Sequence, residues 1–202
     1  MLLEIHSHTS EHSPCSIVKA VTLLRRVYAK GLEGVVLTDH HYLWRPAELL
    51  SVRHQTEVSD RFLVLAGQEV TTSDAGDILV YGADASISRG VSLSDLRARY
   101  PGAALVWAHP YRYNRRPEPS ELLNPLLDGI EILSTNQSAL ENGRGIEEWR
   151  TYKFNALSGT DTHAAKEAGT YPTLFYQPVS DIYQLAEEIR KGRCRPFPGA
   201  VP

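Results

Sequence analysis

The chain has 202 residues, 42% of them hydrophobic and 22% charged, an ordinary globular composition with enough apolar material for one sizeable core, so a single domain is expected over residues 1–202. Lys and Arg number 21 against 24 for Asp and Glu, a formal net charge of -3, which excludes a global positive field able to hold nucleic acid without sequence preference. No apolar run nears the roughly 20 residues of a membrane span. The N-terminus has no basic lead, and Cys15 and Cys194 cannot build a disulfide framework, so a cytoplasmic protein with no membrane partner is expected.

In chain order, the periodicities predict a strand over Leu2–His6 and then a helix from about Ile17 to Lys30. In that helix Ile17, Ala20, Val21, Leu24 and Val27 recur at helical spacing and Gly31 closes the end. Strands follow at Gly34–Thr38, Phe62–Ala66, Ile78–Tyr81, Ala104–Ala108, Gly129–Leu133, Asn155–Ser158 and Thr173–Tyr176. A last amphipathic helix covers Val179–Arg190. The Pro-rich stretches read as a loop at Arg115–Pro119 and a tail at Pro196–Pro202. Apolar strands alternating with helical segments point to βα units around a mostly parallel sheet; about eight strands in this length suit a compact barrel-like arrangement, with an open doubly wound sheet as the alternative.

The chemistry lies at the strand ends. His6 and His8 close the first strand and Asp39 and His40 the second. Glu69 follows the third, His109 follows Ala104–Ala108, and Asp161 and His163 follow Asn155–Ser158. In a parallel βα barrel these positions converge on one face. His6 and His8 lie on the same side of an extended segment, as do Asp161 and His163, because side chains alternate with a period of two. Imidazoles and carboxylates at one focus are the ligand set of zinc, manganese or iron with an open coordination position. Singly, each has a structural alternative: Asp39 as a helix cap, or His109 satisfied by a carbonyl. Together they point to a metal site.

The ordered set His6-Ser7-His8-Thr9, Thr38-Asp39-His40, Gly67-Gln68-Glu69, Ala108-His109-Pro110 and Gly159-Thr160-Asp161-Thr162-His163 resembles the PHP family (polymerase and histidinol phosphatase domains), over essentially the whole chain and in its short stand-alone form. The resemblance implies an α/β fold, a distorted seven-stranded βα barrel with a metal cleft at the strand C-termini, and hydrolysis of phosphoesters by a metal-activated water. It assigns His6, His8, Glu69 and Asp161 to one ion, Glu69 and His109 to a second, and His40 and His163 to a third. Two or three divalent ions (Zn, Mn or Fe) are the implied cofactors. Two positions depart from the family pattern. The additional ligand after His-x-His falls to His12, with Cys15 next, and Asp77 stands where many members have a histidine, a change that either weakens the second site or shifts it toward manganese or iron.

On this reading Asp161, Glu69 and His109 carry catalysis, and Asp39 and Glu131 support the ligands from behind. Arg112, in His109-Pro110-Tyr111-Arg112, is the first candidate for the substrate phosphate, with Arg45, Arg115 and Arg116 after it, because guanidinium donates bidentately to phosphate oxygens. Tyr42, Trp44, Trp107, Tyr111 and Tyr113 flank the motifs, either as a stacking wall for a nucleobase or as packing. The expected partner is a small phosphomonoester or nucleotide, with a nucleic-acid end as an extension; the oligomeric state is open. The competing readings are an amidohydrolase-like metal hydrolase and a metal-stabilised binding module without turnover.

Overall fold

The computed structural model describes residues 1–197; the expected tail beyond that point lies outside the described residues. Its strands are β1 (Leu2–Glu4), β2 (Gly34–Leu37), β3 (Leu63–Ala66), β4 (Gln68–Thr71), β5 (Asp77–Tyr81), β6 (Ala104–Trp107), β7 (Gly129–Leu133), β8 (Ala156–Ser158), β9 (Thr173–Phe175) and β10 (Cys194–Pro196). The helices are α1 (Ala20–Ala29), α2 (Pro46–His54), α3 (Leu93–Arg99), α4 (Pro119–Leu122), α5 (Ala139–Tyr152) and α6 (Ile182–Arg190). Two five-stranded sheets form, in the orders β10-β9-β1-β2-β3 and β4-β5-β6-β7-β8.

The sheets are mixed where a mostly parallel one was expected. Pairings β1–β2, β2–β3, β6–β7 and β7–β8 are parallel, whereas β4–β5, β5–β6, β1–β9 and β9–β10 are antiparallel. For one of these pairs the cause is connection length: β4 and β5 are joined by only residues 72–76, too short for a crossover helix and sufficient for a hairpin. Two parallel bridges, Ser7 with Thr162 and His40 with Glu69, stitch the sheets together at the ends of β1, β2 and β8.

Side-chain alternation sorts the core. Leu3, Ile5, Val36, Leu79, Tyr81, Ala104, Val106 and Leu157 pack with Phe175 and Leu185 in one cluster, while Val35 and Leu37 pack with Leu23, Leu24 and Val27 of α1 in another. A third holds Ile78, Val80, Leu105, Trp107, Ile130 and Ile132. Glu131, between Ile130 and Ile132, therefore points to the other side of β7.

Helix boundaries depart from expectation in physically explained ways. α1 starts at Ala20, not Ile17, and Ile17 is 82% exposed. The backbone N–H of Ile17 donates to the carbonyl of His163 at 3.0 Å, and the Glu11 carboxylate accepts from the Ala20 N–H at 3.0 Å. The segment before Ala20 is thus tied to the site instead of coiling. Gly31, at φ 77°, closes α1 as expected. α6 starts at Ile182, because Asp181 caps it by accepting from the N–H groups of Tyr183 and Gln184. No helix among the described residues is long and apolar enough to cross a membrane.

Candidate metal centre

The centre grows out of the two bridges. Because Ser7 pairs with Thr162, the residues flanking each, His6 with His8 and Asp161 with His163, face the same side across the pair. His40 and Glu69 meet at the second bridge. His8 Nε2 lies 3.0 Å from Glu69 Oε2 and 3.1 Å from Asp161 Oδ1; His6 Nε2 is 3.4 Å from each. The two imidazole nitrogens are 3.1 Å apart. Glu69 Oε2 and Asp161 Oδ1 are buried among the imidazoles alone, so their charge is offset only by a proton on those rings or by a cation among them. Two anionic oxygens and two imidazole nitrogens around one point, all on buried residues, fit a divalent cation.

Two further donor groups share residues with the first. One comprises Glu69, Asp77 and His109; the other comprises His8, His40 and His163. His109 Nε2 lies 3.0 Å from Glu69 Oε1, and His40 Nδ1 lies 3.2 Å from Glu69 Oε2, so the single carboxylate of Glu69 belongs to two of the groups and touches a member of the third. Two of the donors sit in left-handed backbone, Asp161 at φ 56° and His109 at φ 32°. Non-glycine residues there cost on the order of 1–3 kcal/mol and persist where the surroundings over-determine them.

Outer contacts orient the donors. Glu131 Oε1 accepts from His6 Nδ1 at 2.9 Å, and its Oε2 accepts from the His109 N–H at 2.9 Å, so one carboxylate orients a ring on one side and a backbone on the other. Gly159 leaves room for this: a Cβ there would lie 2.3 Å from Glu131 Oε1 and 2.5 Å from His6 Cβ. Asp39 caps no helix. It accepts from Thr9 N and Oγ1 at 2.7 Å each, from Trp44 Nε1 at 2.6 Å and from Ser13 Oγ at 2.5 Å. Ser13 Oγ in turn lies 3.3 Å from His8 Nδ1 and accepts from the His40 N–H at 3.1 Å. With its Nδ1–H turned to Ser13, His8 presents Nε2 to the carboxylates.

Electrostatics follow from burial. Burial opposes charge on His6, but Glu131, Asp161 and Glu69 outweigh it and hold its pKa well above the usual value. The same balance, with Asp161 and Glu69 as partners, pushes His8 up to about 9. Burial would raise Glu69 and Asp161; His6 and neighbouring imidazoles outweigh it and hold both carboxylates below their ordinary range. His40 and His163 are lowered, chiefly by burial, which favours the neutral, ligating imidazole.

Several expected site residues stand elsewhere. His12 belongs to none of the three donor groups among the described residues; its ring stacks on Tyr42 at 3.6 Å and its Nε2 lies 3.8 Å from Glu48. Arg45 pairs with Glu48 at 2.8 Å at the start of α2, and Arg115 pairs with Glu121 at 2.7 Å while lying over Trp107. Arg112 stacks on Tyr113 at 4.9 Å and has no carboxylate partner among the described residues. Trp44, Trp107 and Tyr111 are buried in packing; Tyr42 is half-buried with one face against His12, and Tyr113 is exposed with Arg112 over one face. Residues not anticipated are Ser13, Glu4 and Asn136. Glu4, fully buried in β1, accepts from the N–H groups of His6, Thr160 and Gly169 and from the Thr160 hydroxyl. Asn136 follows β7, the same strand-end position that singled out the histidines.

No family model matches the chain, and no curated protein matches it. Solved structures do. A two-domain protein from Bacteroides vulgatus containing a predicted PHP-like metal-dependent phosphoesterase aligns with TM-score 0.73 at 16% identity, covering 98% of this chain and 64% of that one. An amidohydrolase from Chromobacterium violaceum, with bound sulfate, aligns with TM-score 0.65 at 16% identity over 93% and 96% of the two chains. The lesion-specific endonuclease PfuEndoQ from Pyrococcus furiosus aligns with TM-score 0.62 at 14% identity over 97% and 58%. The chain thus spans less than two thirds of the Bacteroides and Pyrococcus proteins. What these likenesses establish is a fold: the chain is a mixed α/β protein of two sheets and six helices among the described residues, similar to PHP-like phosphoesterases.

Proposed function

We propose that the chain is a metal-dependent phosphoesterase of PHP type, its residues acting as one unit in which the two sheets serve as a distorted barrel around a cleft. The observation that carries this reading is the convergence of two buried carboxylate oxygens, Glu69 Oε2 and Asp161 Oδ1, on two imidazole nitrogens, His6 Nε2 and His8 Nε2, at 3.0–3.4 Å. In this reading His6, His8, Glu69 and Asp161 hold one divalent ion, Glu69, Asp77 and His109 a second, and His40 with His163 a third. Such ions supply Lewis-acid activation of water and neutralise charge developing on phosphoryl oxygens. The chain's own groups then position the reaction. Glu131 and Ser13 fix the tautomers of His6 and His8, and Asp161 takes one protein partner on Oδ2 while Oδ1 faces the centre. His8 Nδ1 is committed to Ser13, so its single free nitrogen serves the first group, and the third position rests on His40 and His163.

Arg112 takes a substrate phosphate oxygen, since Arg45 and Arg115 are already neutralised by their own carboxylates. A small phosphomonoester or a nucleotide is the proposed substrate, with Tyr113 beside Arg112 able to extend the site toward a nucleic-acid end. A second reading is favoured by the Chromobacterium violaceum likeness, which is described as an amidohydrolase: the same donors could activate water toward a carbon centre. The test is hydrolysis by the metal-loaded protein of a panel that pairs phosphomonoesters and nucleotides with cyclic amides and esters. Phosphate release with no carbon-centre hydrolysis supports the phosphoesterase; the reverse supports the second reading.

A further inference from the structure

One amide near the centre makes contacts that no supporting role in the loop requires. Asn136 Nδ2 lies 2.7 Å from Asp161 Oδ2, 2.8 Å from the Asp161 carbonyl oxygen and 3.2 Å from His163 Nδ1. The Asn136 N–H donates to Ser134 Oγ at 3.2 Å, and the Thr135 N–H to the Thr160 carbonyl at 3.0 Å, so the segment is tied to β8 at the point where Asp161 emerges. An amide nitrogen has two hydrogens and no lone pair to accept with. Its two hydrogens go to Asp161 Oδ2 and the Asp161 carbonyl, the two shortest contacts, and the same carbonyl, 2.9 Å from His163 Nδ1, accepts a hydrogen from that ring nitrogen.

We propose that Asn136 is a positioning residue that couples two of the metal positions: it turns Asp161 so that Oδ2 is spent on the amide and Oδ1 on the ion, and by holding the Asp161 carbonyl it fixes the acceptor to which His163 Nδ1–H donates, which leaves Nε2 as a ligand. Three details support the assignment. Asp161 Oδ1 faces His6 and His8 at the centre, while Oδ2 takes the amide. Asp161 stands at φ 56°, a region that is uncommon outside glycine, and both amide bonds are made to that residue. His163 is only half-buried, so without the amide and carbonyl its ring would be free to turn or to swap tautomer.

The inference rests on the metal-dependent reading, and its test separates the two. The isosteric change Asn136→Asp keeps shape and replaces the donor by an acceptor, placing a second carboxylate against Asp161; Asn136→Ala removes both. Mn2+ affinity is measured by chelator competition on the full chain, alongside metal content and the melting temperature of the metal-free protein. The expected result is an affinity loss of about 10- to 100-fold in both variants, the scale typical of groups that orient a metal ligand, with a metal-free melting temperature close to that of the parent. Wild-type affinity in Asn136→Asp would overturn the proposal, because shape alone would then suffice; should Asn136→Ala fail to fold, the Asp variant still decides. A parent protein that takes up no metal overturns the phosphoesterase reading itself.

Discussion

At the scale of single residues, the centre is built by spending one atom of each donor on the protein and leaving the other free. Glu131 takes His6 Nδ1, Ser13 takes His8 Nδ1, and Asn136 takes Asp161 Oδ2. Glu131→Gln should therefore weaken metal binding by about 10- to 100-fold without unfolding the chain, read by chelator competition; an unchanged affinity would remove Glu131 from the support of His6. Replacing His8 or Asp161 by Ala should abolish turnover with the far-UV circular dichroism intact.

The raised pKa of His8 makes a second residue-scale prediction. In the metal-free protein it stands at about 9 against an ordinary 6.5. The folded state then holds a proton that the unfolded state gives up, so this contribution to stability is complete below pH 6.5 and is lost as pH rises through about 9. A metal ion must expel that proton, so its affinity rises with pH over the same window. Chelator-treated protein should melt lower at pH 9 than at pH 6.5, while added metal should raise the melting temperature more at the higher pH. A metal-free melting temperature that climbs across the window would contradict the assignment.

At the scale of elements, the strand ends were legible and the helix starts were not. β2, β6 and β7 lie within their expected spans because runs such as Gly-Val-Val-Leu are buried on both faces. β4 carries little strand signal: its Gln68-Glu69-Val70-Thr71 buries two polar residues, Glu69 at the centre and Gln68 against the backbone of Ala85 and Ile87, so local hydrophobicity understates it. β10, with Arg195 exposed and Pro196 inside it, was missed for the same reason. α2 and α5 have weakly patterned faces, and their signals were caps: the Ser138–Glu141 capping box and Pro46 at the first turn of α2. For α1, Ile17 fitted the helical spacing but not the geometry, since its backbone is bonded to His163. Two substitutions separate these cases. Leu24→Ala, in the fully buried stripe of α1, should cost about 2–5 kcal/mol, whereas Ile17→Ser should change stability by no more than about 0.5 kcal/mol, both read from urea unfolding. Equal costs would return Ile17 to the helix.

At the scale of the whole molecule, residues far apart in sequence reach one cluster of donors because the two sheets meet at the Ser7–Thr162 and His40–Glu69 bridges. The histidines and acids of the centre were legible because their strand-end placement is a property of the chain itself. What converged with them was not: Ser13, Asn136 and Glu4 act through contacts with residues up to 165 positions away in the chain, and His12 departs because its loop turns it onto Tyr42. Gly159 shows how closely the sheets depend on this fit. Gly159→Ala should destabilise the protein by about 1–3 kcal/mol by overpacking and displace Glu131 or His6, so that unfolding midpoint and metal affinity fall together; a loss of stability with unchanged affinity would show that β8 yields instead of the site.

The most direct test of the central claim is the metal content of the protein purified without added metal, measured with phosphate release from phosphomonoesters and nucleotides on the same sample before and after chelation. With three overlapping donor groups available, the account predicts about two to three equivalents of a divalent metal, as multi-metal phosphoesterase chemistry requires, and phosphate release that chelation abolishes and metal restores. Less than about one equivalent, no reconstitution and no turnover would contradict it and leave a binding module whose donor set resembles a catalytic one.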